Sequence, residues 1–298
     1  MTQAKTLLAA TDFSTPARHA LERAAQLAAA HSGSRLTLAH AISRSALDNL
    51  RRLFGQDAAA LEARLLEQAR HNLDELAQHL AASQGCAIDT ALKQGSPLGT
   101  LVELAEDRQA DLLVMGTRGE HFMRERLLGS TTERVLRTTR RPLLAVKQRP
   151  YAPYRRILAP VDFSDHAAAA INAAHAWLPK ADIVLLHAFE VELESTLQLA
   201  GASDDQIHAL RAQARDAAHE AMHAFISQLR VPASRLSRAF IHGAPTLHIL
   251  EHEQMMDADL IVMGKHGRSV LAELLLGSVT EHVLAYSGCD VFIAGHPV

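Results

Sequence analysis

Short apolar runs alternate along this chain with longer stretches in which apolar side chains return every third or fourth position. The first pattern marks buried strands and the second marks helices with one buried face. Strands are predicted over residues 6–10, 36–41, 87–94, 111–115 and 143–147. Helices are predicted over 16–30, 58–83, 98–108 and 130–138. Ser14 or Thr15 can cap the first helix, with Pro16 near its first position, where proline loses no hydrogen bond. The second half repeats this order and ends on a strand at 291–294. Strands that alternate with helices and are apolar throughout predict a mainly parallel sheet covered on both faces.

The repetition is close. Asp111-Leu-Leu-Val-Met-Gly116-Thr-Arg-Gly119, nine residues, then Gly129-Ser130 returns as Asp259-Leu-Ile-Val-Met-Gly264-Lys-His-Gly267, nine residues, then Gly277-Ser278. Across 111–136 and 259–284, 15 of 26 positions are identical, at a constant offset of 148. Leu8-Ala-Ala-Thr-Asp12-Phe-Ser14 pairs with Leu158-Ala-Pro-Val-Asp162-Phe-Ser164, His40 with His187, and Gly95-Ser-Pro97 with Gly243-Ala-Pro245. Pro150 and Pro153 stiffen the connector between the copies, so the predicted domains are 1–149 and 154–298. In open parallel sheets ligands sit beyond the carboxyl ends of the strands, where strand order reverses. Asp12, Gly116, Asp162 and Gly264 each stand just past such an end.

Composition narrows the function. The 298 residues suffice for two ordinary domains. Hydrophobic residues make up 48% and aromatics only 4%, so Ala, Leu and Val must build the cores. A formal net charge of −3 gives no basic surplus to favour nucleic acid or an anionic membrane. Cys86 and Cys289 fall in different copies and form no CxxC, which fits a reducing compartment. There is no signal-like N-terminus and no apolar run long enough to span a bilayer, so a cytoplasmic location is expected.

The glycine loop carries the candidate chemistry. Gly116 and Gly119 leave the backbone open to close approach. Ser130-Thr-Thr-Glu133 and Ser278-Val-Thr-Glu281 fit the capping-box pattern and place helix N-termini there, whose unpaired N–H groups favour phosphate. The plain alternative is a turn followed by an ordinary capped helix. Inside the loop Thr117-Arg118 becomes Lys265-His266. Arg118 and Lys265 are either cationic contacts to phosphate or solvated loop charges. Asp12 and Asp162 can bind Mg²⁺, hydrogen-bond a nucleotide, or cap the next helix, a job Ser14 and Ser164 can also do.

Gly-x-x-Gly-x9-Gly-Ser, after a strand and before a helix, resembles the ATP-binding loop of the universal stress protein family. The resemblance extends over nearly the whole chain, through the opening strand with Asp12, the Gly95-x-Pro97 turn and the Val-Met-Gly116 strand end. It implies two tandem Rossmann-like α/β domains of the adenine nucleotide alpha hydrolase-like type, each a five-stranded parallel sheet with helices on both faces. Carried over by residue, it implies nucleotide contacts from Asp12, Ala41, Gly116, Gly119, Gly129, Ser130 and Thr131 in the first copy. In the second it implies Asp162, Ala188, Gly264, Gly267, Gly277, Ser278 and Val279. ATP with Mg²⁺ is the implied ligand, and a stress-response or signalling role with at most slow hydrolysis the implied function. In this family the fifth strands pair at their edges, which makes 143–147 and 291–294 candidate edges for a pseudo-dimer or homodimer; protein partners are unnamed. Two other readings stand beside this one: an interaction module that no longer holds nucleotide, and a working nucleotide hydrolase or transferase.

Other motifs compete less well. His219-Glu-Ala-Met-His223 is a literal HExxH, which on a helix can grip zinc. The matching first-copy segment, His71-Asn-Leu-Asp-Glu75, lacks it, and a chain with 18 histidines makes chance matches easy. His248 and His252 form another helical pair, read as exposed, while His40 and His187 are read as packed or hydrogen-bonded. Gly264-Lys-His-Gly267 is no Walker loop, since no Gly-Lys-Ser/Thr follows.

Overall fold

The computed structural model describes residues 4–117, 129–191, 194–267 and 276–295. The chain divides into two compact units, Met1–Pro153 and Tyr154–Val298. Unit 1 contains β1 (Thr6–Ala10), α1 (Thr15–Ala29), β2 (Arg35–Ile42), α2 (Arg44–Phe54), α3 (Ala58–Gln84), β3 (Ile88–Gln94), α4 (Pro97–Asp107), β4 (Leu112–Gly116), α5 (Ser130–Thr138) and β5 (Leu143–Val146). Unit 2 contains β6 (Arg156–Pro160), α6 (Asp165–Trp177), β7 (Asp182–Phe189), α7 (Glu194–Leu199), α8 (Asp204–Ile226), β8 (Leu236–His242), α9 (Pro245–Met255), β9 (Leu260–Gly264), α10 (Ser278–Tyr286) and β10 (Asp290–Ala294).

All strand pairs within each unit are parallel. Unit 1 has the order β3-β2-β1-β4-β5 and unit 2 the order β8-β7-β6-β9-β10. The chain therefore winds outward from β1 to one edge, then crosses back to β4 on the other side. The reversal point lies between β1 and β4, and again between β6 and β9. Two strand ends part there, and the crevice between them is where a doubly wound sheet accepts ligands. The α/β class with a parallel sheet, expected from the strand–helix alternation, is what the structure has.

The apolar runs become the sheet because helices cover both faces. Leu7, Leu8 and Ala9 of β1 are buried, as are Leu112, Leu113 and Val114 of β4 beside them. Burying each such Leu or Val contributes about 1.5–3 kcal/mol. Small side chains let α1 lie close on this floor: Ala20, Ala24 and Ala25 are all fully buried. Ser14 accepts the Ala17 N–H at 3.3 Å and Ser164 the Ala167 N–H at 3.2 Å, so serine caps both opening helices.

Two helices depart from expectation. α2 carries an apolar stripe at Leu47, Leu50 and Phe54 but buries only Leu47, and the six-residue α7 buries nothing. The expected capping boxes at Ser130 and Ser278 also do not form. Both serines are the first helical residues, and Gly129 and Gly277 take the cap positions with extended backbones. The helices still begin where predicted, but the serine hydroxyls face outward instead of closing the first turn. A capping box does form at Ser203 and Gln206, at the start of α8.

Candidate functional site

The site is built twice from the same parts. The first is the turn after β1 and β6. Asp12 Oδ1 accepts the Ser14 N–H at 3.0 Å and its hydroxyl at 2.5 Å. Asp162 Oδ1 accepts the Ser164 N–H at 3.1 Å and its hydroxyl at 2.6 Å. The residue between them is left-handed in both units, Phe13 at φ 66° and Phe163 at φ 61°. That region is costly for a bulky L-residue. Each ring lies on a histidine: Phe13 on His40 at 4.4 Å, Phe163 on His187 at 4.2 Å. Each histidine bonds through Nδ1 to a strand-end carbonyl, Thr11 O at 2.7 Å or Val161 O at 2.8 Å. The packed, hydrogen-bonded role expected for His40 and His187 is the one they have.

The second part is the start of α5 and α10. The Gly129 N–H donates to Thr117 O at 2.6 Å, and the Gly277 N–H to Lys265 O at 3.1 Å. The intrahelical ladder starts with Glu133 N–H to Gly129 O, 3.0 Å, and Glu281 N–H to Gly277 O, 2.9 Å. The N–H groups of the first turn precede that ladder and point out of the helix end. Sequence reasoning missed the threonines that fix this end. Thr132 Oγ1 donates to Gly116 O at 2.8 Å and Thr280 Oγ1 to Gly264 O at 3.0 Å. Their only signal was recurrence at the same offset.

The glycines have distinct reasons. A β-carbon on Gly116 would stand 2.9 Å from Pro16 O, and one on Gly264 would stand 3.1 Å from the His166 carbonyl carbon. These glycines let a strand end lie against the first turn of α1 or α6. A β-carbon on Gly267 would come 3.0 Å from Asp162 Oδ2, so that glycine admits the carboxylate. Gly277 is different. Among the described residues its β-carbon would meet nothing nearer than 3.6 Å, and at φ −61° and ψ 142° its backbone is unstrained for an L-residue. The fold itself does not require glycine there.

In unit 2 these parts enclose a cavity of about 340 Å³. Asp162, His187, Gly264, His266, Gly267, Gly277, Ser278 and Thr280 make up its polar and glycine lining. Pro160, Val161, Ala167, Leu186, Ala188, Pro245, Ile249, Met263 and Val279 make up its apolar lining. The second-copy residues named from sequence thus meet in one pocket, with one exception. Lys265 is not in the lining; it is 7% exposed and packs its stem toward Gly295. Its counterpart Thr117 is buried too, so the position points inward in both units. His266 takes the place in the wall. In unit 1, Asp12, Ala41, Gly116, Gly129, Ser130 and Thr131 occupy the corresponding strand and helix ends. Arg118 and Gly119 lie outside the described residues.

A model of the universal stress protein family matches residues 3–147 and again 153–295. The chain belongs to the universal stress protein family. A universal stress protein from Synechocystis is 32% identical over 142 residues, 48% of this chain and 85% of that one. One from Methanocaldococcus jannaschii is 36% identical over 88 residues, 30% of this chain, and the match spans about half of that protein, 52%. A solved universal stress protein structure from Archaeoglobus fulgidus superposes with a TM-score of 0.71 at 20% identity, covering 98% of this chain and 99% of that one. These likenesses give two tandem universal stress protein domains with a Rossmann-like fold.

The rival motif takes a different place. His219, Glu220 and His223 lie on α8, where His219 is exposed and stacked on Phe240 at 3.8 Å. No group of three or more His, Cys, Asp or Glu able to hold a metal occurs among the described residues. His248 and His252 are spent locally, on Glu251 at 2.8 Å and on the His248 carbonyl at 3.1 Å. No helix among the described residues is long and apolar enough to cross a membrane.

Proposed function

We propose that this universal stress protein binds ATP at the reversal point of each unit and uses the bound nucleotide as a signal in a stress response. The observation that carries this reading is Gly277. Packing accounts for Gly264 and Gly267, but at Gly277 the described residues leave room for a side chain and the chain keeps none. The space lies at the N-terminal end of α10, beside Ser278 and the outward N–H groups of the first turn, where a phosphate gains charge-assisted hydrogen bonds. The apolar lining of the same cavity, Ala188 included, suits a base, and Asp162 adds a carboxylate acceptor. Asp12, Ala41, Gly116, Gly119, Gly129, Ser130 and Thr131 serve the first unit in the same roles.

Mg²⁺ would enter with the nucleotide, held by phosphate oxygens and by Asp162 or Asp12. One carboxylate plus phosphates suits an ion that keeps several of its own waters. The described lining contains neither Lys nor Arg. Fast phosphoryl transfer rests on such cations to stabilise the transferring group, so the pocket favours holding ATP over rapid turnover. Calorimetric titration with ATP tests the reading on the wild type, Gly129→Val and Gly277→Val. Two sites per chain, falling to one in each variant, is the expected result. No binding at millimolar ATP, or unchanged stoichiometry in both variants, overturns it.

A further inference from the structure

The apolar lining of the second pocket carries larger side chains than the matching positions of the first unit. The units can be matched residue by residue there. Thr11 N–H donates to Ala39 O at 2.9 Å, and Val161 N–H donates to Leu186 O at 2.9 Å. Across the strands, Ala10 pairs with Ala39 where Pro160 pairs with Leu186. Ala39 is therefore the equivalent of Leu186, and Ala10 of Pro160. On β7, His187 turns toward Phe163, so its neighbour Leu186 faces the opposite side of the sheet, where Ile249 of α9 also lines the cavity. On β2, His40 turns toward Phe13 and Ala39 faces α4 in the same way.

The covering helices are framed by matching bonds. Gly243 N–H donates to Phe189 O at 3.0 Å before α9, and Gly95 N–H to Ile42 O at 2.9 Å before α4. At the far ends, Ala258 N–H donates to Glu253 O at 2.9 Å and Ala110 N–H to Ala105 O at 2.8 Å. Each helix thus follows a strand end held by the same bond, its last turn is closed by the same bond, and both run for 11 residues. Leu101 in place of Ile249 keeps the carbon count. The first unit thus has six fewer side-chain carbons at these positions: two at position 10, one at position 11, where the Thr11 hydroxyl replaces a methyl of Val161, and three at position 39.

We infer that Leu186 and Ala39 set which base each pocket takes: the second accepts plain adenine, and the first also accepts an adenine nucleotide enlarged on its base. The inference rests on the reading of both pockets as ATP sites. Each pocket is closed by close-packed side chains, and overfilling such a wall is resisted. The chain would therefore sample two different nucleotide pools.

Titration of the full chain with ATP, N6-cyclopentyl-ATP and 2-methylthio-ATP tests this. ATP is expected to fill two sites in the wild type, and circular dichroism with a cooperative thermal melt shows whether both swap variants fold. At least one enlarged analogue is expected to fill a single site in the wild type, binding the second at least tenfold more weakly. Leu186→Ala is expected to raise that count to two and Ala39→Leu to lower it to none. If the analogue count ignores both substitutions, or both analogues fill both wild-type sites with equal affinity, the inference is overturned while ATP binding stands. If ATP itself binds nowhere, the reading beneath it fails first.

Discussion

Gly277→Ala should cost the fold little and make the second pocket worse at holding ATP. Among the described residues the added carbon meets no atom nearer than 3.6 Å, where the closest neighbours are Gly267 N and, at 3.7 Å, Thr280 Oγ1. These are ordinary van der Waals distances, and the backbone at φ −61° and ψ 142° is relaxed for alanine. Replacing glycine at a compatible site stabilises by about 0.4–1 kcal/mol, because the unfolded chain loses freedom, but Gly277 is the N-cap of α10, where alanine is the poorer residue by about 1 kcal/mol. The two effects offset, and the melting temperature should stay within roughly 4 °C of the wild type. The same methyl projects into the space where phosphate oxygens would meet the end of α10. A tenfold loss of affinity, about 1.4 kcal/mol, is the least it should cost. Gly116→Ala is the counterpart that does lower stability. Its β-carbon would lie 2.9 Å from Pro16 O, and pushing α1 off the strand end costs about 1–3 kcal/mol. Scanning calorimetry without ligand and ATP titration with it separate the two effects. A melting temperature lowered as far in Gly277→Ala as in Gly116→Ala would refute the packing argument, and undiminished ATP affinity would refute the phosphate argument.

Thr280→Val removes the donor to Gly264 O, 3.0 Å away, and strands a carbonyl at the strand end; a loss of about 1–3 kcal/mol in urea unfolding is expected. Arg211, and then His242, hold the Glu194 carboxyl below its usual range. Glu194 is depressed in the fold, so its contribution is present above the unfolded carboxylate pKa and fades as pH falls through the lower folded value; Glu194→Gln should flatten the acid limb of a stability–pH curve there. Burial pushes His175 below its ordinary 6.5, and its Nδ1 has no hydrogen-bond partner among the described residues. The unfolded state takes up that proton first, so stability should drop as pH falls through 6.5, and His175→Gln should soften the drop. His219→Ala should leave ATP affinity unchanged and remove no zinc-dependent peptide cleavage, measured on a fluorogenic peptide with and without added zinc.

Local signals were legible wherever one force decided the outcome. β1 and α5 begin and end where hydrophobic period and glycine placement put them. α7 escaped because six residues are too few to show a period, whereas the stripe Leu47, Leu50 and Phe54 of α2 was legible and was passed over. At Ser130 and Ser278 the motif was right about the helix start and wrong about the bond. Gly129 and Gly277 are drawn back to the strand end by their own N–H groups, so each helix starts one residue beyond its glycine and serine falls inside it. Lys265 read as a loop cation because its charge is visible in sequence, while the inward direction of its stem is set by the chain around it. The role of each glycine was invisible for the same reason: it depends on Pro16, His166 and Asp162, which are distant in sequence.

The threonine ties at Thr132 and Thr280 bear on the entropy of recognition. Each fixes the first turn of a helix to the strand end across which a ligand would lie. A phosphate arriving there meets N–H groups already aimed, with no helix end left to order. Association then sheds little conformational freedom in the protein, and most of the entropy lost on binding is the nucleotide's own.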